Sequence, residues 1–306
     1  MASGVDGGWR MALLASRGVL QAEGSQALGF LQGILSNDMR KLENAGPDQP
    51  PVYATILTPK GKFLHDVFVV PHPGSWWRRD PRLPDLGFRG LLPASDPAGE
   101  SAQGLPGVGE DEYRALRYRL GVAEGETEIP AGQAAPLDYN VDVLNGVSYT
   151  KGCYVGQERN SFTHYRGVIR KRLMPVRLEP LERPEQGAGA APPPPQPASL
   201  APGTEVLDAA SGRSVGQLRG AVADDQGGCV GIAYLKLDAA LAAAEGRGRE
   251  LIVSGAAPGR EAQGDGEEGA GAPPSAASAW RVVPARPAWW PVEWGREEAG
   301  EAAGGA

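Results

Sequence analysis

Apolar positions recur at helical spacing from Ala27 through Leu28, Leu31, Ile34 and Leu35, which predicts an amphipathic helix capped by Ser25 and ending near Asn37 and Asp38. Two β-rich runs follow, Val52 to Leu57 and Phe63 to Val70. The Thr58-Pro59-Lys60-Gly61-Lys62 stretch between them predicts a hairpin with a turn longer than two residues. Tyr113, Leu116 and Leu120 form a second helical stripe, stopped by Gly121. Beyond residue 200 the period shortens. Thr204-Glu205-Val206, Ser214 to Leu218, Cys229 to Leu235 and Leu251 to Val253 are short strand-like runs with turn residues between them, and Trp280 to Val283 is a last strand. Such a series predicts a small antiparallel barrel or sandwich, one end closed by Trp289 and Trp290.

Proline and glycine punctuate this pattern. Gln186 to Pro202, with Pro192 to Pro195 consecutive, cannot sustain a helix or a central strand and predicts a semi-rigid linker or loop. Ala257 to Ser278 and Gly295 to Ala306 are rich in Gly, Ala and Glu and are expected to be disordered. With 44 glycines and 28 prolines among 306 residues, the folded part is expected to be shorter than the chain. No apolar run approaches the roughly 20 residues a membrane helix needs, so no membrane partner is expected. Two cysteines cannot form a secreted disulfide framework, which points to a reducing, cytosolic compartment. Met1 to Arg10 has neither a secretory apolar core nor an Arg/Ser-rich transit stretch; a mitochondrial matrix location is the alternative for a eukaryotic chain.

Charge singles out one segment. The net charge is −7, yet between Lys151 and Arg172 six cations (Lys151, Arg159, Arg166, Arg170, Lys171, Arg172) stand against one acid, Glu158. A thiol among fixed positive charges has its thiolate stabilised, so Cys153 reads as a nucleophile or metal ligand; its other reading is a buried, inert cysteine in a tight loop beside a solvated basic strand. Gly152 and Gly156 let the backbone approach a ligand closely or take a positive φ. Cys153 and His164 are two candidate metal ligands, short of the usual three or four unless a partner protein supplies the rest. A net acidic chain with a pI near 5.2 and no zinc-finger or helix-turn-helix pattern argues against nucleic acid as the partner of the basic run.

The run Lys151-Gly152-Cys153-Tyr154-Val155-Gly156-Gln157-Glu158 resembles the signature of the YgfZ-type family, the folate-binding relatives of the glycine-cleavage T protein. His164 to Leu173 is similar to that family's downstream block, with Tyr165 in place of one histidine. Phe30 to Asp38, Tyr53 to Lys62 running on to Asp66, Arg119 to Val122 and Pro136 to Asn140 are similar to further family blocks, in order, and the family usually carries Glu where Asp138 stands. Between Val70 and Asp80 this chain has a short connection where relatives carry a helix and further strands.

The resemblance implies an α+β fold: T-protein-like folate-binding lobes over residues 9–178 with the first lobe truncated, a linker over 179–202, a C-terminal antiparallel β-barrel-like domain over 203–294 and a tail over 295–306. It implies a folate-dependent accessory factor in iron-sulfur cluster assembly or repair acting through Cys153, more a maturation factor than an independent enzyme. Its partners would be A-type iron-sulfur carriers and client enzymes. The alternatives are a folate-dependent aminomethyl transferase and a non-catalytic remnant of the family. Tetrahydrofolate is the implied cofactor, its pocket short of the wall that the missing piece would supply. A transient cluster shared with a partner, with Cys153 as one ligand, is the implied metal site. In the loop, Lys151 and the arginines would tune the thiolate, Tyr154 and Gly156 would shape the backbone, and Gln157 and Glu158 would hold it by hydrogen bonds.

Other positions keep two readings each. Asp66 stands where the T protein carries two acids; it is either what remains of that site or a strand-end hydrogen-bonding group. Asn37 and Asp38 either offer oxygens to a ligand or terminate the helix through side-chain bonds to the backbone. Asp138 and Asn140 are ligand candidates by resemblance. Arg166 and Arg170 either clamp the carboxylates of a glutamyl tail or form surface ion pairs.

Overall fold

The structure, a computed structural model, describes residues 8–46, 49–71, 77–92, 104–181, 200–224, 228–254, 279–291 and 294. Pro192 to Pro195, Ala257 to Ser278 and Gly295 to Ala306 lie outside the described residues. The chain divides into two units: Met1–Arg117, Ala131–Pro136 and Val141–Tyr165 form the first, and Tyr118–Pro130, Leu137–Asn140 and Arg166–Ala306 the second.

In the first unit a short strand β1 (Met11–Ala12) precedes helix α1 (Ala27–Ile34) and the hairpin of β2 (Val52–Leu57) and β3 (Phe63–Val69). The hairpin is antiparallel with Val52 opposite Val69 and Thr55 opposite Asp66. Leu28, Leu31 and Ile34 of α1 pack on a cluster of Leu35, Met39, Val52 and Ala54, as the helical spacing predicts. Ser25 does not cap this helix. Gln26 holds the cap position without a side-chain bond, because Gly24 (φ +106°) turns the chain so that the Ala27 N–H reaches the Gly24 carbonyl at 3.0 Å. The hairpin turn is closed by Thr58, whose N–H donates to Lys62 O (2.8 Å) and whose Oγ1 accepts from Lys62 N (3.0 Å).

The first unit continues through β4 (Trp77–Arg79) and β5 (Phe88–Gly90), an antiparallel hairpin that no sequence pattern announced. The strand β6 (Gly107–Val108) pairs in parallel with β1, and helix α2 (Glu110–Leu120) then ends at Gly121, whose φ of +73° is the stop that the sequence predicts. Behind the β2–β3 hairpin lies an ion cluster. Asp80 accepts from Arg82 Nε (2.9 Å), Arg82 NH2 (2.7 Å) and Arg89 Nε (2.8 Å), and both guanidinium groups lie over the Phe68 ring, 4.9 and 4.0 Å from its centroid.

The second unit holds α3 (Gly125–Glu128) and a closed six-stranded barrel; helix α4 (Gln157–Arg166) belongs to the first unit as far as Tyr165. Its strands are β7 (Lys171–Pro180), β8 (Glu205–Asp208), β9 (Ser214–Ala223), β10 (Cys229–Lys236), β11 (Leu251–Ser254) and β12 (Ala279–Pro284), in the order β10-β7-β12-β11-β8-β9. Every neighbouring pair is antiparallel. Strand β7 begins inside the 9–178 span read as the folate-binding lobes and ends at Pro180, so the barrel's first strand precedes the proline-rich stretch. Periodicity cannot assign β7, because its Arg172 to Val176 run is buried without alternation. Helix α5 (Leu237–Ala244) packs on β10 and β12, and Trp290 joins the barrel core while Trp289 packs against it.

Cys229 opens β10 and is buried in the barrel core, and burial pushes its thiol up to about 11. Cys229→Ala should lower stability by about 1–2 kcal/mol through lost apolar burial and leave function intact. A denaturant titration with parental stability, or a loss of iron-sulfur enzyme support, would overturn this.

Candidate functional site

Cys153 is exposed, which removes burial from its alternative reading. Its neighbours are anchored. Lys151, only 5% exposed, drives its ammonium into the end of α1, where Nζ donates to Gln32 O (2.6 Å), Leu35 O (2.6 Å) and Asn37 O (3.0 Å). A helix end leaves such carbonyls without intrahelical partners, and an ammonium has three donors to offer. Burial pushes the Lys151 ammonium down to about 8, with the Asp38 carboxylate opposing and Arg40 adding to the fall. On the other side of the thiol Tyr154 is buried, its ring centroid 4.8 Å from Lys151 Nζ. Burial raises the Tyr154 hydroxyl above its ordinary range, and a hydrogen bond with Asn160 partly offsets the rise.

The loop also rests on the hairpin turn. Gly156 has φ +81°, and a Cβ there would stand 2.9 Å from Leu57 Cβ and 3.0 Å from Gly61 Cα. Gly61, at φ +71°, would meet Gly156 O at 2.8 Å and Arg159 Cβ at 2.7 Å in the same way. The two glycines therefore let two backbones touch. Val155 N–H donates to Gly33 O (3.0 Å), and Gln157 N–H to Tyr154 O (3.2 Å) as α4 begins. Lys151 and the main chain thus hold the loop, while Gln157 is half-buried and Glu158 exposed. Gly152, by contrast, has open space where a Cβ would stand.

Asn37 and Asp38 meet Lys151 at the end of α1, and their side chains bond to the backbone and to neighbouring side chains. Asn37 Nδ2 donates to Tyr53 O (2.8 Å) and Asn145 O (2.7 Å), while its Oδ1 accepts from Asp38 N (2.8 Å) and Lys41 Nζ (3.1 Å). Asp38 accepts from Arg40 N (3.2 Å), Arg40 Nε (3.1 Å) and Gln32 Nε2 (2.9 Å). Burial pushes the Asp38 carboxyl up, but these bonds outweigh it and hold the group below its ordinary value. An open cleft of about 310 Å³, counting space shared with solvent, runs past Asn37, Lys41, Tyr53, Pro81 and Asn145.

Asp66 is 5% exposed and its two oxygens accept from Arg17 NH1 (2.9 Å) and NH2 (3.1 Å), the latter nitrogen also reaching Asp66 O (3.1 Å). No local pattern in the sequence marks Arg17. Asp138 and Asn140 belong to the second unit. Asp138 Oδ2 accepts from Tyr234 OH (2.8 Å), and burial together with this carboxylate raises the Tyr234 hydroxyl. Asn140, at φ +63° and fully buried, donates to Leu173 O (2.9 Å) and accepts from Arg172 NH1 (3.2 Å). Arg172 is itself buried, also donating to Leu137 O (2.8 Å), so it is removed from the exposed basic run. Arg166 and Arg170 are exposed. His164 stacks on Tyr149 with centroids 3.7 Å apart. Among the described residues no group of three or more His, Cys, Asp and Glu stands where it could hold a metal ion.

Residues 170–292 match the family model described as the CAF17 C-terminal beta-barrel domain. The chain is 31% identical over 232 residues to the Iron-sulfur cluster assembly factor IBA57 homolog, mitochondrial, of Mycosarcoma maydis, covering 55% of this chain and 57% of that protein. It is 41% identical over 159 residues to the mouse Iron-sulfur cluster assembly factor IBA57, mitochondrial, covering 52% of this chain and 38% of that protein. With the human protein of the same name it shares 31% identity over 281 residues, covering 69% of this chain and 74% of that protein. The chain thus spans less than two thirds of the fungal and mouse relatives. Among solved structures it resembles the glycine cleavage system aminomethyltransferase T from Bartonella henselae, with a TM-score of 0.53 and 14% identity, over 87% of this chain and 82% of that one. That likeness shows the fold: a mixed α+β aminomethyltransferase fold with a C-terminal closed barrel. The relatives' names say mitochondrial, the alternative compartment of the sequence reading and not its cytosolic first choice.

Proposed function

This chain belongs to the IBA57 family of iron-sulfur cluster assembly factors, and from that premise we propose that it assists cluster assembly in mitochondria by presenting the Cys153 thiol to a partner protein. The observation that carries this reading is the exposed thiol between two buried anchors, Lys151 and Tyr154. A thiol held in this way offers one ligand at a fixed place. An iron-sulfur cluster, the cargo here, needs several thiolates, and without a ligand group among the described residues the others come from the partner. An A-type carrier that brings cysteines of its own fits that need, and client enzymes receive the cluster afterwards. Exposed Arg166 and Arg170 suit an acidic partner surface.

The aminomethyl transferase reading is disfavoured by Asp66, whose two carboxylate oxygens are taken up by Arg17. Tetrahydrofolate is retained as a weak ligand in this reading, because the cleft beside Asn37 is open and the polar groups at its head serve the backbone. Calorimetry should give weak or absent tetrahydrofolate binding relative to an intact YgfZ-type relative, and equal affinity would overturn this. The function itself is tested by complementation. Expression of the chain in cells lacking their own factor of this family should restore the activity of iron-sulfur enzymes, and no restoration by a folded, correctly targeted chain would sink the reading.

A further inference from the structure

We propose that Lys151 is the positioning residue of the cysteine site: by filling the carbonyl end of α1 it fastens the loop to the helix and fixes where the Cys153 thiol stands. The proposal rests on the reading of Cys153 as the working group and assigns Lys151 a part other than charge. Its three N–H donors are matched by three carbonyl oxygens at 2.6, 2.6 and 3.0 Å, all from the last turn of α1 and the residues after it. The ammonium therefore points into the protein, and its contribution to the thiol is geometric. The next fastening, Val155 N–H to Gly33 O at 3.0 Å, lies two residues beyond the thiol on the same helix, so residues 151 to 155 are pinned at both ends of the exposed turn. Tyr154 under the ammonium completes the clasp.

A nitroxide on Cys153 reports this directly, since Cys229 is buried in the barrel core and shielded from the label. In Lys151→Met, which keeps the length of the stem and removes the donors, the label should move about ten-fold faster, as expected of a loop opened locally. A second label on Glu205→Cys, in a Cys153→Ala background, should be unchanged by the same substitution. Equal mobility at position 153 in parent and variant, or equal loosening at both labels, would overturn the proposal. Should the variant fail to fold, hydrogen exchange of the parent decides. The Val155 amide should exchange within about ten-fold of the core amides of β2 if the clasp holds, and exchange near the rate of exposed turns would sink it. These readouts do not depend on iron-sulfur enzymes: complementation that succeeds with Cys153→Ala would remove the proposed function and leave the clasp standing, whereas a mobile loop in the parent would do the reverse.

Discussion

Cells that lack their own factor and carry the Cys153→Ala chain should show iron-sulfur enzyme activities at the level of the empty vector, while the parent chain restores them. The physical ground is the asymmetry of the loop. Lys151, Tyr154 and Gly156 are buried or in close contact and carry its structure, whereas the Cys153 side chain is exposed and carries little packing. Substitution of such a side chain stays within about 0.5 kcal/mol of the parental stability. Loss of rescue then reports lost chemistry and not lost protein, provided that thermal unfolding and abundance of the variant match the parent. Cys153→Ser sharpens the comparison, since it preserves the size of the side chain and removes the sulfur ligand. Full rescue by either variant would sink the assignment of Cys153.

The elements that the sequence announced are those whose pattern is local. The α1 stripe, the β2–β3 hairpin, the stop at Gly121 and the strands β8 to β12 each follow from period or turn chemistry within some ten residues, and each is present. What the sequence left hidden depends on partners far along the chain. Strand β7 is buried without alternation, and only its pairing with β10 and β12 makes it part of the barrel. The β4–β5 hairpin is bridged by the bond from Arg89 to Asp80, and Arg17 reaches Asp66 from 49 residues away. Of the site, the motif spelled out the thiol and its glycines. It also named Lys151, but as a charge acting on the thiol, because nothing in the local sequence says that the lysine turns inward to close a helix 114 to 119 residues earlier. The basic run misled in a related way: Arg172 looks like its neighbours in sequence and is buried against Asn140 and the Leu137 carbonyl.

Asp80→Asn should cost about 3 kcal/mol, the low end for breaking a buried ion pair, and lower the melting temperature of the chain by roughly 10 °C. Asp80 is shared by two guanidinium groups, and the Arg82 side chain it faces has no exposed surface while that of Arg89 is 16% exposed. Asparagine keeps the volume and one acceptor but removes the charge, so two cations remain close together over the Phe68 ring. Acid should weaken the parent by the same route. Burial pushes the Asp80 carboxyl up, yet the hydrogen bonds and charge of Arg82, with the charge of Arg89, outweigh it and hold the group below its ordinary value. A carboxyl depressed in the folded state contributes stability that is complete above its unfolded value, about 3.9, and is lost as pH falls through the folded one. The stability difference between parent and Asp80→Asn should therefore be constant near neutral pH and shrink below about pH 4. A variant as stable as the parent at pH 7 would show that the cluster is held by the aromatic ring and the tyrosine hydroxyl of Tyr113 and that its carboxylate is dispensable, and a difference that grows in acid would overturn the depressed Asp80 carboxyl.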